Sequence, residues 1–467
     1  MLKVIIKKEI VDTITSPKFL FTFLLCAILI FASVYTGISN YRTQQSEYEG
    51  AVALNKKSLE SQPNYAMLAG YGTKINRKPQ ILSMISTGIE EAMGQAATVN
   101  ISYDPTLVDS KFSSNPMSAV YGALDLTFIV KIVLSLFALL FTYDAIAGEK
   151  ERGTLKLMLA NSLPRHTLIL GKAIGGYISL VIPLLIPLLL SLVFLMVFPD
   201  VSLTGADWFR LSLIFVIFFL YLSLFFTLGL FVSTRTGRSS TSFLILLFLW
   251  ILFVTIIPKA AVMSAEQIYP IPTIHEITAK KEAFLRQANT EFMQQQLDFW
   301  KELEREGKNL SREEMLTKSR TWMEERNQKK TARVDEFNLN IERDFQAKKR
   351  QQQRLAVDFS RISPASALTF STMSLARTGI DEYERFLNSL KTYKPIFSKW
   401  VNARIMRGLE AGQLAKVELE TMPSFNYTPE SLGPSIKRVL PDIGIMTALI
   451  VLFFIGAHIS FLAYDAR

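Results

Sequence analysis

The chain is poor in the side chains that carry covalent and metal chemistry: of 467 residues, one is cysteine and three are histidine. The lone thiol, Cys26, lies within an apolar run, so there is no disulfide framework and no thiolate metal site, and it reads as a small packing residue. His166, His275 and His458 are far apart and lack the HExxH spacing of a zinc-binding helix. There is no GxSxG elbow, no carboxylate pair inside an apolar run and no GxxxxGK[ST] phosphate loop. Gly171-Lys172 comes nearest to the last, without the preceding glycine or the following hydroxyl. The chain is therefore not expected to be an enzyme, to bind ATP in the P-loop manner or to hold a cofactor or metal. Energy for any work must come from a partner or an ion gradient. Ionisable residues near the middle of an apolar run, the mark of gradient-driven transport, are scarce too. Lys131 is close enough to one end to snorkel, while Asp125, Asp144 and His458 lie near run ends.

Apolar residues, by contrast, are plentiful. Hydrophobic content is 49% and formal net charge +10, a composition that points to a polytopic membrane protein rather than a soluble one. Six stretches are long enough to cross about 30 Å of hydrocarbon as helices. They occupy residues 18–38, 126–146, 173–198, 208–233, 241–258 and, with the C-terminal end, 442–467. The first is expected to stay as an anchor, since it is longer than a signal-peptide core and no small-residue cleavage pattern precedes Tyr41.

Lys3, Lys7, Lys8 and Lys18 precede the first span, Lys150, Arg152, Lys156, Arg165 and Lys172 separate the second and third, and Arg235 and Arg238 separate the fourth and fifth. Basic residues gather on the inner side of a membrane, so both termini are expected in the cytoplasm of a prokaryotic cell, with the chain in its inner membrane. Residues 1–17 alternate Leu, Val and Ile with Lys and Glu, as an amphipathic helix lying in the interface does.

Two long loops then fall outside. Residues 39–125 contain a strand-like VNISY at 99–103 and suggest a small mixed α/β lobe. Within 259–441, runs at 275–306 and 311–361 are rich in Glu, Lys, Arg and Gln, with Gly307 between them and apolar residues at helical spacing. They predict a long antiparallel helical hairpin whose imperfect heptads favour a bent pair over a continuous coiled coil. A solvated polar insert is the competing reading. The hairpin's basic residues alternate with acidic ones, which excludes nucleic acid as a partner. The fold class is an all-α polytopic membrane protein with these two extracytoplasmic insertions.

Residues 147–172 form a compact polar block between two spans. Glu149-Lys150-Glu151-Arg152 is followed by Gly153-Thr154 and then by Leu155, Leu157, Met158 and Leu159, with a turn around Pro164. This spells a short amphipathic cytoplasmic helix with carboxylates at its N-terminal end, where the dipole favours them. The stretch Glu149 to Leu155, continued by LMLANSLPRHTLILGK, resembles the E-x-E-x-G-T-L…P-x-x-R/H…L-x-G-K signature of type-2 ATP-binding-cassette permeases. KPQILSMISTGIEE at 78–91 and RISPASALTFSTMSLARTGIDEYERF at 361–386 are similar to outer-loop motifs of the subset linked to gliding motility and nitrous oxide reductase maturation.

The resemblance implies that the block is a coupling helix docked on a separate ATPase subunit. It also implies two ATPase copies that hold ATP and Mg, and a second permease chain as homo- or heterodimer. On this reading Glu149 and Glu151 give polar anchoring, Leu155 and Leu157 apolar docking, and Gly153 the chain reversal, with Lys150, Arg152 and Thr154 completing the ATPase-coupling set. Two outputs stay open: export of a solute, or transmission of movement to an extracytoplasmic protein partner with no solute crossing.

Overall fold

The computed structural model describes residues 1–108, 124–160, 164–198, 201–306, 311–410 and 416–464. Gly307, Asp200, the turn residues 161–163 and part of the first long loop lie outside the described residues. The chain divides into two compact units, Met1–Ile257 with Arg361–Arg467, and Pro258–Ser360.

In the first unit α1 (Leu2–Ile14) leads through Ser16 into α2 (Pro17–Glu60). Pro17 at the first helical position and the Ser16 side chain, which accepts from the Phe19 amide, start α2 cleanly. It then runs unbroken for 44 residues, so the first part of the loop after residue 38 continues the same helix. A short helix α3 (Tyr65–Tyr71) and three strands follow, β1 (Thr73–Asn76), β2 (Ala96–Val99) and β3 (Leu107–Val108), in antiparallel order β1-β2-β3 with Thr73 opposite Val99. The strand predicted at 99–103 therefore lies three residues earlier. Beyond Asn100 the chain turns back, and the Ile101 amide donates to the Ala69 carbonyl of α3.

The remaining membrane-type helices are α4 (Leu126–Leu140), which contains a π-helical turn at Val130–Leu134, α7 (Arg165–Met196), α8 (Gly205–Arg235) and α9 (Ser239–Ile268). Between α4 and α7 stand two short helices, α5 (Ala147–Glu151) and α6 (Thr154–Ala160). Among the described residues five helices are long and apolar enough to cross a membrane: α2, α7, α8, α9 and the C-terminal α14 (Leu432–Leu462). The sequence reading counted six, but residues 126–146 give only the shorter α4, because the helix stops at Leu140 and turns occupy 141–146. Pro183 and Pro187 lie inside α7.

The second unit holds the end of α9, α10 (Ile274–Glu306) and α11 (Arg312–Ser360). α10 and α11 pair through rings: Phe284 stacks on Phe337 at 3.8 Å, and Phe299 on Trp322 at 4.5 Å. Arg333 and Glu291 close an ion pair at 2.6 Å between them.

Back in the first unit, α12 (Pro364–Ala376) and α13 (Ile380–Glu410) precede α14. The main apolar core joins α2, α4, α7, α8, α12 and α14, with Tyr221, Phe218 and Phe225 of α8 fully enclosed. At the end of α8 remote from α5 and α6, the fully buried Arg210 donates to the carbonyls of Leu375 at 3.1 Å and Glu430 at 2.8 Å. Glu430 in turn accepts from Arg385 and, through both carboxylate oxygens, from Arg438. Burial alone would raise its carboxyl, but hydrogen bonds from Arg438 and Ser435 and the charge of Arg438 outweigh burial and hold it below the usual range.

Candidate functional site

The polar block folds as two short helices joined at Gly153. That residue has φ +75°, the left-handed region a glycine enters without Cβ strain, and Thr154 Oγ1 reaches back to the Glu149 carbonyl at 3.3 Å. The block's side chains divide into an inward set and an outward set.

Glu149 is 8% exposed and turned inward. Its carboxylate meets the Lys172 ammonium at 2.6 Å, and the same ammonium meets Glu9 of α1 at 2.8 Å. The Lys172 side chain is only 4% exposed. A lysine so enclosed keeps its charge when opposite charges stand beside it, and two carboxylates do. Burial pushes the Glu149 carboxyl above its ordinary range, and the charge and hydrogen bond of Lys172 work against that rise. The triad therefore binds three separate pieces of chain: the interfacial-type helix α1, the block, and the start of α7.

Close backbone approach makes the triad possible. A Cβ on Gly171 would stand 2.6 Å from Ile5 Cγ2, and one on Gly175 would stand 2.8 Å from the Glu9 Cβ. The small residues let α1 lie directly on α7.

Lys150 Nζ donates to the carbonyls of Thr234 and Thr236, the latter at 3.1 Å, and stands 4.9 Å from the Tyr464 ring centre. Burial lowers its pKa. Glu151 accepts from the Ser239 amide at 3.0 Å, at the start of α9, and that hydrogen bond holds its carboxyl below the ordinary range. Ser233 Oγ accepts from the amides of Ile146 at 3.0 Å and Ala147 at 2.9 Å and donates to the Tyr143 carbonyl at 3.1 Å. Leu155 is fully buried in a cluster with Ile146, Leu168, Ile169, Leu230 and Phe461. Arg152, Gly153, Thr154, Lys156 and Leu157 face outward, and Leu157 is 68% exposed.

The sequence-derived set is thus together in space, but its members point opposite ways. Glu149 and Leu155, read from sequence as contacts for a partner, are spent on the chain's own α1, α7, α8 and α14. Leu157 is free for such a partner. Lys172, Glu9 and Ser233 were not picked out as site residues from sequence. For Lys172 the available signal was a charged side chain immediately before the apolar run 173–198, beside Gly171. Through these contacts the block is fastened to the block-side ends of four long helices and to α1.

A sequence model of the family described as ABC-2 family transporter protein matches residues 3–415. The chain is 46% identical over 57 residues to a Pseudomonas aeruginosa protein named Probable ABC transporter permease protein NosY, a stretch covering 12% of this chain and 21% of that protein. A protein of the same name from Stutzerimonas stutzeri is 39% identical over 71 residues, 15% of this chain and 24% of that protein. These matches span about a quarter or less of the length of the curated relatives.

Proposed function

Because the chain belongs to the ABC-2 family of transporter proteins, we propose that it is the permease subunit of an ATP-binding-cassette complex and that residues 147–160 carry the motion of a separate ATPase into the spans. Two ATPase copies holding ATP and Mg, and a second permease chain, complete the proposed complex. It sits in a prokaryotic inner membrane with the block and both termini in the cytoplasm, and α4 with its flanks supplies a sixth crossing.

The observation that supports this reading is the division of the block into two faces. Arg152, Thr154, Lys156 and Leu157 offer an exposed, mixed basic and apolar surface, suited to a docking groove with complementary charge. Behind it, Glu149, Lys150 and Leu155 are fastened to α1, α7, α8 and α14, and the exposed Glu151 is tied to the start of α9. A force applied outside has a rigid route inward.

Co-purification with the co-expressed ATPase tests the assignment. The double variant R152E/L157E should keep its fold and lose the ATPase, whereas E149Q should retain the ATPase and uncouple hydrolysis from output. Undiminished recovery of the ATPase with R152E/L157E refutes the docking face.

Export of a solute and transmission of movement are both compatible with such a complex. The second is favoured by the size of the unit Pro258–Ser360, whose helices of 33 and 49 residues exceed what sealing a pore requires. Removal of α10 and α11 separates them: an exporter keeps solute-stimulated ATP turnover, and a transmitter keeps only basal hydrolysis.

A further inference from the structure

The helix α9 has 30 residues, about 45 Å at 1.5 Å per residue, against about 30 Å of hydrocarbon. Its last turns, ending at Ile268, therefore reach the headgroup layer. Ile268 and Tyr269 are exposed there, and tyrosine is a residue of that layer. Within the same compact unit, Gln352 of α11 donates to the Tyr269 carbonyl at 2.8 Å, which sets the end of α11 at this level.

Arg350 and Arg354 lie within about 3 Å of Gln352 in axial height, on the opposite side of the helix. With Arg343 they form one stripe, since spacings of seven and four residues keep all three within about 40°. Each is exposed. Among the described residues none of the three meets a carboxylate, and the neighbouring Asp344 is held by Lys348 at 2.9 Å. Elsewhere on the hairpin Arg286, Lys301 and Arg333 each have an acidic partner. Unanswered guanidinium charge thus stands where α11 comes level with the end of a membrane-type helix.

We propose that Arg350 and Arg354 bind the phosphates of anionic phospholipid headgroups and seat this end of the hairpin on the leaflet surface. A guanidinium fork matches phosphate oxygens in a bidentate manner. The inference holds whichever side of the membrane the hairpin occupies, so it is independent of the coupling role proposed above.

Each cation near an anionic surface is worth about fivefold in association, so two are worth about twenty-five-fold. The test uses the full chain in phosphatidylcholine vesicles, with a dye on a thiol introduced at the exposed Gln351. The native Cys26 is fully buried and does not compete for label. Quenching is measured with phosphatidylglycerol or phosphatidylcholine carrying a nitroxide near the headgroup.

A preference for phosphatidylglycerol of about twenty-five-fold is expected, lost in R350Q/R354Q and largely kept in R350K/R354K, which also checks the fold. Equal quenching by the two lipids, or a preference that survives R350Q/R354Q, overturns the proposal. Abolition of the preference by millimolar inorganic phosphate would assign the site to free phosphate and overturn the lipid assignment.

Discussion

Replacing Lys172 by methionine removes the cation that bridges Glu9 and Glu149 while keeping the volume of the side chain. The cost follows from how enclosed each partner is. The side chains of Lys172, Glu149 and Glu9 are 4%, 11% and 21% exposed. Breaking a buried ion pair from one side costs about 3–5 kcal/mol, because the other charge stays behind. Glu9 can regain water, and Glu149 can escape by taking a proton, since burial already raises its carboxyl. The lower end, about 3 kcal/mol, is therefore expected at neutral pH. It should appear as a local opening of α1, which at 13 residues is marginal as an isolated helix.

Amide exchange over residues 2–14, read by mass spectrometry, should accelerate by about a hundredfold. A carboxyl raised in the folded state binds its proton more tightly there than in the opened state. Its contribution thus favours docking at low pH and is lost as pH rises through the folded value. Loss of Lys172 raises Glu149 further, so the defect should be smaller at pH 5 than at pH 8. Exchange that stays slow in the variant, or accelerates equally at both pH values, would refute the claim that this triad holds α1 down.

Gly175→Val places a Cβ 2.8 Å from the Glu9 Cβ and 3.1 Å from the Ile6 carbonyl oxygen. Such overpacking costs about 1–3 kcal/mol and should speed exchange in the same segment, without the pH dependence. Ser233→Ala strands the buried amides of Ile146 and Ala147, at about 1–3 kcal/mol for each. Thermal unfolding of the detergent-solubilised chain should fall clearly for alanine and much less for Ser233→Thr, which keeps the hydroxyl.

The helices were the most legible part of the sequence. Long apolar runs and the polar periodicity at 275–306 and 311–361 are local signals, and α10 and α11 begin and end within a residue or so of them. The extent of α2 was less legible: Ile38 ends the apolar run, but polar residues with good helix propensity carry the helix on to Glu60. At the block, residue types were readable and directions were not. Whether Glu149 looks inward depends on Lys172 and Glu9, 23 and 140 residues away. A consecutive Glu-Lys-Glu-Arg gives no periodicity from which to choose a face. Leu155 and Leu157 differ in burial for a similar reason, since only the helix break at Gly153 sets which of them meets the apolar cluster.

The unbroken course of α2 has a geometric consequence. Lys18 near its start is tied to Asp144 at 2.7 Å, just before the block, while Asn55 near its far end accepts from the Lys74 amide of β1 at 3.0 Å. Forty-four residues make a rod of about 65 Å, so a tilt of about 5° about the Lys18 end sweeps the tip through about 6 Å. A displacement too small to notice at one terminus thus becomes the width of a side chain at the other, and the three-stranded sheet rides on that arc.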